Sequence, residues 1–192
     1  LDETEALRLY FENKYGIPKK TIITGHSMGG MISIATIEKY KDKYDGALPM
    51  CTFLGSPNLI LKMCLDRLVT FDYFFGLNDG KIITSKEIIS DEEIKRLISK
   101  NKSFAKIYSQ YLKVKDKDIS IIIGFSQSVI KGNNERLGGL AMGNLHTIYD
   151  GFDKYNQKLN QNVRRYKANK KVRDFFSNNR NSIGELSDPV LN

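Results

Sequence analysis

The run Thr21-Ile22-Ile23-Thr24-Gly25-His26-Ser27-Met28-Gly29-Gly30 constrains this chain more than any other stretch. Its β-branched residues predict a strand over Thr21–Thr24. A turn of small residues follows, and a helical pattern begins at Met28 and runs to Tyr40. Residues 25–29 spell G-x-S-x-G in the strand–turn–helix setting that the pattern requires. A serine on such a turn is lifted clear of the strand ends, with its hydroxyl accessible. The N–H of the next residue, Met28, points into the same space and can bind a developing oxyanion. Side chains at Gly25 and Gly29 are expected to clash with neighbouring backbone in so tight a turn. The plainer alternative is a glycine-rich helix start in which Ser27 only caps Met28–Tyr40. The preceding strand, the extra Gly30 and the small residues Gly29, Gly30, Ser33 and Ala35 favour the first reading. Ser27 is then the candidate nucleophile, Met28 the oxyanion donor, and Gly25, His26 and Gly29 the turn that presents them.

The flanking segments fit a layered α/β arrangement. Leu7, Tyr10, Phe11 and Tyr15 recur at helical spacing over Glu3–Tyr15, a helix stopped by Gly16 with Pro18 beyond. The helix after Ser27 carries Met31, Ile32, Ile34, Ala35 and Ile37, apolar nearly all round, which predicts burial. Gly46–Cys51 reads as a second strand. Strand, helix and strand in that order make a βαβ unit with parallel strands and a right-handed crossover.

Beyond Cys51 the pattern becomes helical. Asn58–Leu77 is apolar and rich in aromatics. Ser90-Asp91-Glu92-Glu93 is a capping box opening a helix with Ile94, Leu97 and Ile98. Helical spacing resumes at Phe104, Ile107, Tyr108 and Tyr111, and again over Ile119–Ile130. Gly138-Gly139 starts an irregular stretch to about Gly151, and Asp153–Lys171 and Val172–Asn178 read as helices. A strand signal returns at Pro189-Val190-Leu191. The expected organisation is a β-α-β core over residues 1–57, a mainly helical cap over Ser27 in 58–185, and the start of a further core strand in 186–192.

Composition narrows the partners. The chain has 192 residues, 41% hydrophobic and 27% charged, with a net charge of +8. Its longest apolar stretch, Ile119–Phe125, is too short to cross a membrane. Lysine and arginine are dense at Lys95–Lys106, Lys113–Lys117 and Arg164–Arg173. Without a nucleic-acid motif these read as a solvated basic surface rather than a nucleic-acid site; attraction to acidic polymers or anionic membranes is the functional alternative. Cys51 and Cys64 lack metal-ligand spacing and read as buried thiols, with a disulfide left open. No histidine–carboxylate cluster and no phosphate-binding glycine loop is seen, so neither a metal nor an organic cofactor is expected.

On these residues the chain resembles the α/β-hydrolase superfamily, in particular bacterial serine esterase-like members with a helical lid. The matching pieces are Gly16-Ile17-Pro18, Gly25-His26-Ser27-Met28-Gly29-Gly30, and Tyr44-Asp45-Gly46-Ala47-Leu48-Pro49-Met50-Cys51. Leu159-Asn160, Val163-Arg164-Arg165-Tyr166 and Ser187-Asp188-Pro189-Val190-Leu191 also match. The resemblance implies a partial α/β-hydrolase fold: parallel strands, flanking helices and a helical lid insertion. It implies a small-molecule ester substrate and a two-step acyl transfer through Ser27. Its second oxyanion donor comes from a loop ahead of Leu1, and its triad order is nucleophile, acid, histidine. Many relatives are exported, which points to a secreted or periplasmic protein.

The acid and histidine of that order are expected beyond Asn192. Within the chain, His26 reads as structural and His146 as a lid histidine. Asp66, Asp72, Asp79, Asp150 and Asp153 are acids by type only, with Asp72 and Asp79 placed after the second strand as some hydrolases have it. A chain of this length is therefore expected to show little hydrolysis, because general-base help is worth about a hundred- to ten-thousand-fold. A sheet of three strands leaves edges open to a second copy or a partner chain. The alternatives are an acyltransferase on the same scaffold and a non-catalytic interaction protein derived from a hydrolase.

Overall fold

A computed structural model of the protein describes residues 1–54, 57–76, 79–85, 87–172 and 174. The chain divides into two compact units, Leu1–Ser56 and Pro57–Asn192. Together they make a mixed α/β protein, mostly helical, with a small parallel sheet of two strands. The expected third strand at Pro189-Val190-Leu191 lies outside the described residues.

The first unit contains α1 (Asp2–Tyr15), β1 (Ile22–His26), α2 (Met28–Lys39) and β2 (Gly46–Met50). Asp2, Glu3 and Glu5 in the first turn of α1 and Lys14 in its last suit the helix dipole. Gly16, at φ 90°, ends it with its N–H on the Glu12 carbonyl at 2.9 Å. The face that α1 buries is not the apolar one expected. Leu7, Tyr10 and Tyr15 are exposed, whereas Glu5 is buried, held by Arg8 and by the Tyr44 hydroxyl at 3.1 Å. Arg8 also reaches Glu12 one turn on. Leu7 and Phe11 look across an open groove of about 350 Å³ toward Ile22 and Ile23 of β1, so the apolar face is directed at the strand without being sealed on it.

β1 and β2 run parallel in the register Ile22↔Gly46 to His26↔Met50. Their entry is pinned twice: Thr21 N–H donates to Asp45 Oδ2 at 2.7 Å, and Asp45 N–H to the Thr21 carbonyl at 2.8 Å. Helix α2 packs on both strands. It does so through Gly30, Ser33 and Thr36, not through its large apolar residues; Ile32 and Met28 stay exposed. Small residues let the helix approach the sheet closely. The two hydroxyls turn back onto the Gly29 and Ile32 carbonyls, which satisfies them inside the contact. On the other face of the sheet Ile22, Leu48 and Met50 are exposed.

The second unit is helical: α3 (Pro57–Phe74), α4 (Lys81–Thr84), α5 (Asp91–Lys100), α6 (Lys102–Leu112), α7 (Ile119–Leu137) and α8 (Asn156–Asn162). Helices α3 and α7 form its central pair. Their buried faces bring Leu65, Leu68 and Phe71 together with Ile119, Ile123 and Ile130. Aromatic rings extend this core, with Tyr108 edge-on to Phe75 at 5.5 Å and Tyr111 stacked on Phe152 at 4.0 Å. Ser90 caps α5 as expected, its Oγ accepting the Glu93 N–H at 3.2 Å, while the Glu93 carboxylate pairs with Arg96.

The helix expected over Asp153–Lys171 is interrupted: a 3-10 turn and α8 end at Asn162, residues 164–169 lie in no helix, and helical backbone resumes at Lys170. Val163 is extended and residues 164–169 stay out of the helix, because backbone polar groups there are claimed elsewhere. The Tyr166 carbonyl accepts the Asn144 N–H at 3.0 Å, and Asn169 N–H donates to the Leu140 carbonyl at 2.8 Å. A Cβ on Gly143 would stand 2.5 Å from the Tyr166 carbonyl oxygen, so this close approach needs glycine there. The part of the expected helix Val172–Asn178 beyond residue 174 lies outside the described residues.

Candidate active site

Ser27 joins the carboxyl end of β1 to the start of α2 with φ 54° and ψ −119°. This lies outside the regions that L-residues favour and costs on the order of 1–3 kcal/mol, so the surroundings must impose it. They do so from three directions. Ser27 N–H donates to the Met50 carbonyl at 2.9 Å, and the Ser27 carbonyl accepts the Gly30 N–H at 3.0 Å. A Cβ on Gly25 would lie 2.1 Å from the Gly29 carbonyl oxygen, so the strand end and the first helical turn are in direct backbone contact. Gly30 is packed as tightly: its Cβ would meet the Thr52 side chain at 2.7 Å.

The glycine expectation is therefore met at Gly25 and corrected at Gly29. A Cβ on Gly29 would meet nothing within 4 Å. The second steric requirement falls one residue later, on Gly30, because that is where α2 touches Thr52 in the segment after β2.

Ser27, His26 and Met28 are all exposed. The Ser27 hydroxyl makes no cap to α2, so the plain capping role does not describe it. The Met28 N–H has no acceptor among the described residues, as the first N–H of a helix without a side-chain cap should not. An exposed hydroxyl and a free N–H thus share one helix start.

Cys51 belongs to this neighbourhood and sequence reasoning misplaced it. It is exposed, a free thiol, and stands at φ 48° directly after β2, as Ser27 does after β1. It was expected to be buried as the end of an apolar run. The signal for its position was the strand pairing itself, since the residues following two parallel strands emerge side by side. Cys64, by contrast, is fully buried, and burial raises its thiol pKa.

No histidine or carboxylate is hydrogen-bonded to Ser27 among the described residues. His146 is an exposed residue of the second unit. Of the candidate acids in that unit, Asp66 is engaged by Lys62 at 2.6 Å and by the Tyr149 hydroxyl at 3.0 Å. Asp72, buried, accepts the Gly80 N–H at 3.0 Å. Asp79 accepts the Lys81 N–H at 2.9 Å, which with the Lys81 ammonium lowers its pKa. Asp150 is exposed. These contacts give Asp66, Asp72 and Asp79 structural work. Among the described residues no group of three or more histidine, cysteine or acidic side chains is placed to hold a metal ion. No described helix is long and apolar enough to cross a membrane. No family model, no curated protein and no solved structure matches the chain.

Proposed function

We propose that this protein is a serine hydrolase of carboxylic esters, working through an acyl-enzyme on Ser27. One observation carries the reading: a solvent-facing serine held at φ 54° between a strand and a helix, beside the free N–H of Met28. Strain of this kind persists where a site needs it. The Ser27 oxygen attacks the ester carbonyl carbon. The carbonyl oxygen gains the negative charge and is met by the Met28 N–H. Collapse of the tetrahedral species expels the alcohol and leaves the acyl group on Ser27; water then attacks that ester and restores the hydroxyl. A base must take the Ser27 proton in the first step, and the resemblance assigns that task to a histidine.

A fluorophosphonate tests the reading, because it forms a bond to an activated serine with loss of fluoride. The protein purified from its natural source should carry one adduct, on the peptide containing Ser27, and Ser27→Ala should remove both the adduct and ester hydrolysis. Hydrolysis surviving in Ser27→Ala, or an adduct on a different serine, overturns it. An acyltransferase on this scaffold would instead release product faster when an alcohol is added as acceptor.

A further inference from the structure

The longest apolar stretch of the sequence is only partly used by the core. Within Ile119–Phe125, Ile119 and Ile123 are buried, whereas Ile121 is 67% and Phe125 45% exposed. These two continue at helical spacing into Ser128 and Gly132, so one face of α7 carries large apolar side chains in its first half and small residues in its second. A Cβ on Gly124 would meet nothing within 4 Å, and one on Gly132 only the tip of Arg136 at 3.9 Å. Glycine is a poor residue for a helix interior, and no described neighbour in the chain requires it at either position. The Ser128 hydroxyl is folded back onto the Gly124 carbonyl at 3.0 Å, so covering this face strands no donor there. The face also ends in opposite charge patterns. Lys117 and Asp118 lie in the 3-10 turn leading into α7, and Glu135 and Arg136 in its last turn. None of the four is in an ion pair among the described residues.

We propose that this face of α7 docks antiparallel onto the same face of a second copy of the chain. A two-fold axis crossing the helix midway between Ser126 and Gln127 sets Ile121 of each copy over Gly132 of the other, and Phe125 over Ser128. Every large side chain then meets a small one, as interlocking helix surfaces require. The same axis sets Lys117 of each copy beside Glu135 of the other, and Asp118 beside Arg136. A parallel pairing does the reverse on both counts, placing Phe125 on Phe125 and Lys117 on Lys117. This self-complementarity of size and of charge about one axis selects a second copy over an unrelated apolar partner. Helix α7 has 19 residues and is about 28 Å long. A single helix face of that length lies at the low end of interface sizes, so the dimer is weak and reversible. The interface does not involve Ser27, and its failure leaves the ester-hydrolase reading standing.

Sedimentation velocity of the full chain from about 5 µM to about 0.5 mM spans the range of such a dimer. A monomer–dimer equilibrium is expected. Gly132→Leu puts its new side chain into space that is open in the monomer, and Ile121→Ser removes a side chain that the core does not use. Each should weaken the dimer by at least about tenfold while leaving the Tm of the monomer undiminished. Lys117→Glu should also weaken it, and adding Glu135→Lys in the same chain should restore pairing; the two positions lie at opposite ends of α7, so that rescue reports a contact between copies. Phosphatidylcholine vesicles form a second arm, in which no co-sedimentation is expected. A chain that stays monomeric at about 0.5 mM, a dimer whose affinity survives both Gly132→Leu and Ile121→Ser, or a charge exchange that fails to restore pairing overturns the proposal. Vesicle binding that is lost in Ile121→Ser also overturns it, by assigning the face to a lipid surface.

Discussion

The N–H of Ser27 donates to the carbonyl of Met50 across 2.9 Å, which ties the strained turn to the last residue of the neighbouring strand. The turn is thus an extension of the parallel pairing, and the strain at Ser27 is borne by the ladder beneath it. Glycine adopts a positive φ at no steric cost. Ser27→Gly should therefore stabilise the first unit, by about 1 kcal/mol after the added unfolded-state freedom of glycine is subtracted. The same variant should lose every trace of phosphonate labelling. Hydrogen exchange of the β1 and β2 amides checks the first statement. Slower exchange is expected, and faster exchange would mean that the backbone at residue 27 is not under strain.

The three glycines of the turn should behave differently on substitution. Gly25→Ala puts a methyl 2.1 Å from the Gly29 carbonyl oxygen, and Gly30→Ala puts one 2.7 Å from Thr52. Backbone cannot yield at the first position, so a loss of about 2–3 kcal/mol and of all Ser27 reactivity is expected there. At the second position the nearest atom is the Thr52 Cβ, which no χ1 rotation moves, so a loss of similar size is expected there. Gly29→Ala meets open space inside a helix, where alanine is favoured by up to about 1 kcal/mol. It should keep its reactivity and gain stability. Thermal unfolding beside phosphonate labelling of the three variants separates these outcomes.

What could be read from sequence follows from how local each signal is. The strand–turn–helix around Ser27 rests on adjacent residues and on backbone geometry, so the β-branched run and the glycines were enough to find it. The Ser90 cap was legible for the same reason. Which face of a helix is buried depends on distant partners. Helix α1 has a clear apolar period, yet Glu5 is its buried residue because Arg8 and Tyr44 meet it. Helix α2 is rich in isoleucine, yet it packs through Gly30, Ser33 and Thr36, where close approach to the strands outweighs side-chain size. The stretch after Val163 has helical residues but gives its backbone groups to Leu140 and Asn144, over twenty positions away. Cys51 was misread because an apolar run was taken to continue one residue past its strand.

The Glu5–Arg8 pair makes the first unit sensitive to acid. Hydrogen bonding to Arg8 lowers the Glu5 pKa, and the Tyr44 hydroxyl adds to this against the opposing effect of burial. A carboxyl whose pKa is lower folded than unfolded gives stability that is fully present above its unfolded value, about 4.3, and is lost as pH falls through the folded value. The expected loss therefore begins below about pH 4.3 and is absent at neutral pH. Glu5→Gln should be less stable than the parent at pH 7 and should converge on it in acid. A carboxyl NMR titration of Glu5 gives the folded pKa directly, and a midpoint at or above the unfolded value would remove the basis for this prediction.

Asn144 should be the costliest polar residue of the second unit to replace. It is 1% exposed, and all of its amide is in use. Its Nδ2 donates to the Tyr149 hydroxyl at 2.8 Å and to the Arg164 carbonyl at 3.0 Å, and its Oδ1 accepts the Tyr166 N–H at 2.7 Å. Asn144→Ala leaves the Tyr166 N–H and the Arg164 carbonyl to find new partners, at about 1–3 kcal/mol for each group left unpaired in the interior. Asn144→Asp keeps the acceptor for Tyr166 but sets a carboxylate against the Arg164 carbonyl, with Asp66 already on the Tyr149 hydroxyl at 3.0 Å. The aspartate variant should therefore be no better than alanine at pH 7 and should recover part of the loss in acid, where the protonated carboxyl can donate again. Denaturant unfolding of the two variants at pH 7 and pH 4 measures this. An aspartate variant as stable as the parent at pH 7 would show that the Asn144 Nδ2 bonds contribute nothing to holding the segment in place.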